Sequence, residues 1–126
     1  MNNELKIVRA TKNDIPLILS FIKKIAEYEK LSHDVIATEE SLRKSLFGER
    51  ANAEVVFAYQ NNEPIAYAVY FFNFSTFVGK RGLYLEDIFV LPEFRKLGIG
   101  KILFTYLMQY AIDKNCGRME WAVLDW

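Results

Sequence analysis

An excess of charge of either sign is missing from this chain: its 126 residues carry 16 basic and 16 acidic side chains, a formal net charge of zero. That balance argues against a nucleic-acid partner held by a broad basic face. Cysteine and histidine are nearly absent, with only Cys116 and His33. One thiol closes no intramolecular disulfide, and a lone histidine with a lone cysteine makes no metal-ligand cluster, so no metal is expected. Cys116 reads as a small core or helix-end residue, because no nearby residue suggests a paired base. No apolar run approaches the roughly eighteen residues of a membrane span, and the opening MNNELKIVR has no signal-peptide hydrophobic stretch. A cytoplasmic protein with no membrane partner is expected. A hydrophobic content of 52% is too high for a disordered tail, and the length fits one domain over residues 1–126.

Residues 5–9 read as a short strand, after which Asn13-Asp14 offers an N-cap with Pro16 in the first turn of a helix. Ile18, Phe21, Ile22, Ile25 and Ala26 recur at helical spacing, leaving Lys23, Lys24 and Glu27 on or beside the wet face. Thr38 caps a second helix, with Glu39 and Glu40 favourably placed for its dipole and Gly48 at its end. Residues 53–59 and 65–72 read as strands joined by an Asn61-Asn62 turn, and Gly79-Lys80-Arg81-Gly82 as the turn of the next hairpin. A strand over 84–90, a long helix over 100–114 and a strand over 119–125 complete the order β-α-α-β-β-β-α-β.

The most informative stretch is YLEDIFVLPEFRKLGIGKILF, residues 84–104: strand, turn, glycine-rich loop, amphipathic helix. Gly98-Ile99-Gly100 leaves backbone N–H groups uncovered where the helix begins, with Arg95, Lys96 and Lys101 close by, which is an anion cradle. A P-loop would need four residues between its glycines and then Lys-Ser/Thr, whereas Lys101-Ile102 follows Gly100. A dinucleotide fingerprint would need glycine or alanine where Leu103 stands. Within the strand, Glu86 and Asp87 interrupt an apolar run, and a buried unpaired carboxylate is costly enough that each needs a purpose or a partner. Successive side chains on a regular strand face opposite ways, so both acids enter one site only if a β-bulge re-aims one of them.

Arg95-x-x-Gly98-x-Gly100 after a strand resembles the pyrophosphate loop of the GNAT superfamily of acyl-CoA-dependent N-acetyltransferases. Residues 26–42 and 68–90 extend the resemblance over nearly the whole chain, to the branch of spermidine/spermine (diamine) and thialysine acetyltransferases. The resemblance implies an α/β (α+β) fold, a mixed and mostly antiparallel sheet with a splayed parallel pair of strands at an acetyl-CoA cleft, and a bulge in the central strand. It implies that backbone groups of Ile88, Phe89 and Val90 bind the pantetheine arm. Arg95, Lys96, Leu97, Gly98, Ile99, Gly100 and Lys101 would hold the cofactor phosphates.

Glu86 is the implied catalytic base, the alternative being an ion pair at the sheet's edge. Asp87 would bind a substrate ammonium or orient a loop. Tyr28-Glu29 matches the family's amine-contacting pair, the alternative being a solvated helix end, and Glu120, Trp121 and Ala122 fall where the family contacts substrate. Glu27, Glu29 and Asp34 with Glu86 and Asp87 would attract a small polycation, either a polyamine or a lysine-like amine. Phe71, Phe72, Phe74 and Phe77 are left open between core, dimer surface and channel lining. The sequence ends before the family's final short helix and hairpin, and no residue matches the tyrosine of that helix thought to protonate the leaving thiolate. The expectation is a homodimer covering the edge of the last strand, with an acyl-CoA-binding module or inactive partner subunit as the alternative function.

Overall fold

The structure, a computed structural model, describes residues 5–122. Strands β1 (Leu5–Arg9), β2 (Glu54–Gln60), β3 (Glu63–Ser75), β4 (Lys80–Val90) and β5 (Arg118–Trp121) form one sheet in the order β1-β2-β3-β4-β5. The first three junctions are antiparallel; β4 and β5 are parallel and joined through helix α3 (Ile99–Asp113). Helices α1 (Ile15–Tyr28) and α2 (Glu39–Phe47) lie between β1 and β2 in the chain. The expected α+β fold and its element order are present.

Alternation along the strands divides the core between the two faces of the sheet. Val56, Ala58, Ala66, Ala68 and Tyr70 pack with Leu103, Leu107 and Ala111 of α3. Their neighbours Val55, Phe57 and Tyr67 pack with Ile18 and Phe21 of α1, with Leu42 and Leu46 of α2 against them. Phe21 stacks on Tyr67 with ring centroids 5.0 Å apart and meets Phe89 edge-on at 6.5 Å.

Local signals set the element ends, with some departures from the sequence reading. Asn61 and Asn62 both adopt positive φ, 51° and 65°, and close the two-residue β2–β3 hairpin between Gln60 and Glu63. Thr38 caps α2 as expected, accepting the Ser41 N–H at 3.1 Å. Asp14 occupies the N-cap position of α1, yet its carboxylate turns back to accept the Thr11 N–H at 2.8 Å, closing the 3₁₀ turn in front of the helix. The β3–β4 turn falls at residues 76–79 rather than 79–82. Ser75 fixes it: its carbonyl accepts the Gly79 N–H at 2.8 Å and its hydroxyl the Val78 N–H at 3.3 Å. Gly82 is therefore a strand residue paired with Asn73, where a Cβ would stand 2.5 Å from the Asn73 Oδ1. Residues 123–125 of the expected last strand lie outside the described residues.

Leu103 is 0% exposed at the centre of the α3 face, whereas Ile112 on the same helix is 66% exposed. Leu103→Ala should destabilise the fold by about 2–5 kcal/mol and Ile112→Ala by less than about 0.5 kcal/mol, measured by urea unfolding.

Candidate active site

The site begins with a break in register. Val69 pairs with Asp87 and Tyr70 with Leu85, so Glu86 is the extra residue of a β-bulge in β4. Before it, Leu83 and Leu85 face α3; after it, Ile88 and Val90 do, while Asp87 and Phe89 face α1. Among the described residues the parallel β4–β5 ladder ends at Leu85 opposite Trp121, immediately before the bulge. Among the described residues no strand pairs with this edge of β4 from Glu86 to Val90.

Asp87 is half-buried, and the Tyr67 hydroxyl donates to its Oδ2 at 3.3 Å. Burial pushes the Asp87 carboxyl above its ordinary range, repulsion from Glu86 adds to that, the Tyr67 bond opposes it, and Glu29 raises it further. Glu86 itself is exposed. Glu29 sits at the C-cap of α1, which stops as Lys30 takes positive φ (61°) and the Leu31 N–H returns to the Ala26 carbonyl at 2.7 Å. The end of α1 thus carries Tyr28 and Glu29 to the bulge.

A cavity of about 510 Å³ opens beside these groups, lined by Ile25, Tyr28, Glu29, Ile88, Phe89, Val90, Phe94, Arg95, Lys96, Gly98, Ile99 and Gly100. The Arg95 guanidinium lies 4.3 Å from the Tyr28 ring centroid and 5.0 Å from that of Phe89, while its Nε donates to the Val90 carbonyl at 2.9 Å. Gly98 has φ +80°, a backbone that disfavours any side chain. Gly100 has no such demand: a Cβ there would meet only Val90 Cγ2, at 3.8 Å. The fold does not need glycine at 100, so the open space in front of it serves something other than packing. The first backbone bond of α3 runs from the Ile102 N–H to the Gly98 carbonyl at 3.0 Å, leaving the N–H groups of residues 99–101 without intrahelical acceptors. One end of the cavity is thus a helix N-terminus suited to anions and the other is acidic.

The structure brings Tyr28, Glu29, Ile88, Phe89, Val90, Arg95, Lys96, Gly98, Ile99 and Gly100 into this cavity; Glu86 and Asp87 do not line it, though Asp87 feels the charges of both Glu86 and the lining Glu29. Leu97 and Lys101 are exposed and do not line it. On β5, Glu120 accepts the Asn73 Nδ2 at 3.2 Å and pairs with Arg118 Nε at 3.2 Å. Trp121 stands edge-on against Phe104 of α3 at 4.8 Å, and Ala122 follows the strand. Glu27 lines an adjoining depression with Lys24, Tyr28, Phe89 and Pro92, and Asp34 is exposed beside His33. Sequence reasoning missed Tyr67, because a tyrosine hydroxyl in the run AYAVYFF, residues 66–72, leaves no polar signal.

A profile described as "Acetyltransferase (GNAT) family" matches residues 21–126. The thialysine N-epsilon-acetyltransferase of Bos taurus is 42% identical over 130 residues, covering 95% of this chain and 75% of that one. The spermidine/spermine N(1)-acetyltransferase-like protein 1 of Homo sapiens is 30% identical over 128 residues, 96% of this chain and 18% of that protein. In fold, an aminoglycoside acetyltransferase from an uncultured soil metagenomic sample superposes with a TM-score of 0.84 at 24% identity, covering 98% of this chain and 80% of that one. The chain belongs to the GNAT acetyltransferase family, and it is an N-acetyltransferase that acts on amines.

Asp87 holds its proton more tightly folded than unfolded, so its contribution to stability is greatest at low pH and is lost as pH rises through the folded value. Asp87→Asn should therefore raise the thermal midpoint at pH 7.5, with the gain shrinking at pH 4.5, as calorimetry at both pH values would record.

Proposed function

We propose that this chain transfers the acetyl group of acetyl-CoA to the primary amine of a small cation on a flexible stem. Thialysine or another lysine-like amine is the first candidate, and a polyamine the second. The observation that supports this most is the single cavity joining the glycine-rich N-terminus of α3 to the acidic end at Glu29 and the β4 bulge. The first substrate preference follows the likeness to the thialysine enzyme, the second the likeness to the spermidine/spermine-like protein. The enzyme reading is favoured over a binding module or inactive subunit by the chain's length of match to an acetyltransferase.

Acetyl-CoA supplies an activated acyl carbon whose bond to sulfur is the one broken. The N–H groups of residues 99–101, with Gly98 and Gly100 keeping side chains out of the way, fit its phosphates, assisted by Arg95 and Lys96. The edge of β4 from Ile88 to Val90 that no described strand covers fits the pantetheine arm, and an N–H there polarises the acyl carbonyl. Tyr28, Glu29 and Asp87 hold the ammonium, and Glu86 takes its proton, directly or through water, so that the free amine attacks. A C–N bond forms as the C–S bond breaks, the electron pair leaves with the thiolate, and the second proton lost from the amine nitrogen passes to that thiolate. Glu120, Trp121 and Ala122 would bound the substrate from β5, with Leu97 and Lys101 at the outer margin of the phosphate loop. A homodimer belongs to the same proposal.

Calorimetric titration with acetyl-CoA, followed by thiol release on adding thialysine or spermidine, tests the reading. Binding with amine-dependent release is expected, higher for thialysine; no binding would sink the loop assignment. Glu86→Gln should lower kcat by about 10²- to 10⁴-fold and move its pH dependence, with acetyl-CoA affinity nearly unchanged. Equal activity would remove Glu86 from the mechanism. Sedimentation at micromolar concentration should show a dimer, and a monodisperse monomer would reject the assembly.

A further inference from the structure

We infer that Tyr67 is a positioning residue of the amine site, its buried hydroxyl fixing the Asp87 carboxylate in the orientation that receives the substrate's ammonium. The inference rests on the reading of Asp87 above and extends it to a residue outside the cavity lining.

Tyr67 is 0% exposed, stacked on Phe21 and paired across the sheet with Phe89. A phenylalanine would meet every one of those packing demands, and a buried hydroxyl is unfavourable unless it is bonded. The bond it makes goes to Asp87 Oδ2, from the neighbouring strand, at 3.3 Å. Among the described residues no hydrogen bond reaches Oδ1, so Tyr67 engages one oxygen of the carboxylate and leaves the other for a ligand.

The geometry depends on the bulge: in a regular strand Leu85 and Asp87 would share the α3 face, and Tyr67 would have nothing to bond. The titratable groups acting on Asp87 are Glu86 on its own strand, Tyr67 on β3 and Glu29 at the end of α1. None of them is cationic. The carboxylate is thus held by a neutral donor among other acids, which leaves its charge for an incoming cation rather than spending it on an internal ion pair.

Tyr67→Phe preserves shape and removes only this donor. Loss of a bond to the ionised form should move the Asp87 carboxyl titration, read by carbon-13 NMR, upward by about one pH unit. In turnover with thialysine, the KM for the amine should rise about threefold to tenfold, with kcat and acetyl-CoA affinity near the parent's. In an Asp87→Asn background, Tyr67→Phe should change the amine KM no further. An unmoved Asp87 titration, an unchanged amine KM, or full additivity with Asp87→Asn would overturn the inference. If the parent chain acetylates none of the amines tried, the reading of the site fails separately. The carboxyl titration then decides for Tyr67 by itself, an upward shift supporting the positioning contact and an unmoved midpoint rejecting it.

Discussion

The single extra residue in β4 is the constraint on which the rest of the site depends. A strand's side chains alternate strictly, and a sheet with helices on both faces leaves little choice about which residues each helix covers. Inserting Glu86 between the Tyr70–Leu85 and Val69–Asp87 pairs exchanges the two faces for the remainder of β4. Leu83 and Leu85 remain under α3 while Phe89 goes beneath α1, so both helices keep apolar cover although the parity has changed. Asp87 and Phe89 meet the end of α1, and the ladder to β5 ends where the bulge begins. The same irregularity aims an acid and exposes backbone.

That arrangement costs stability. Glu86 and Glu29 both repel the half-buried Asp87, and the group touching Asp87 is a neutral phenol. Elsewhere in the molecule the chain has the means to neutralise acids: Glu54 receives Arg9 at 2.9 Å and the Tyr110 hydroxyl at 2.9 Å, and Glu120 receives Arg118. The contrast is informative, because acids satisfied within the protein hold it together, whereas Asp87 has no cationic partner among the described residues. Glu120 therefore contributes less negative charge to substrate than its place on β5 suggests, its Oε1 being shared between Asn73 and Arg118.

Elements with strong periodicity or turn chemistry were legible in the sequence. The α1 stripe, the Thr38 cap and the Asn61-Asn62 turn carry their geometry in residue type, and β1 falls where expected. The loop at Gly98 and the adjacent acids of β4 were legible for the same reason. A pair of charges inside an apolar run demands an explanation, and only a bulge lets both share a site. What failed depended on long-range contact. The glycine at 82 looked like a turn residue, but it is small because Asn73 lies over it across the sheet. Trp121, read as a substrate contact, also rests its ring on Phe104 of a helix whose packing no local pattern reports. Tyr67 was invisible because its value lies in one oxygen atom and in the strand beside it.

Arg95 shows how the two ends of the cavity are tied into one unit. Its sequence position assigns it to the loop before α3, but its guanidinium lies against Tyr28 from α1 and Phe89 from β4, and its Nε is bonded to the Val90 carbonyl. A planar cation between aromatic rings gains from their quadrupoles while its fork keeps direction, which a lysine at 95 would not reproduce. The contact fixes the C-terminal end of α1 relative to the last residues of β4, and so fixes Glu29 relative to Asp87. It also sets the start of the loop that leads through Lys96, with φ 65°, to Gly98. Displacing Arg95 would therefore disturb the acidic end and the glycine-rich end together, although neither depends on it for a hydrogen bond of its own.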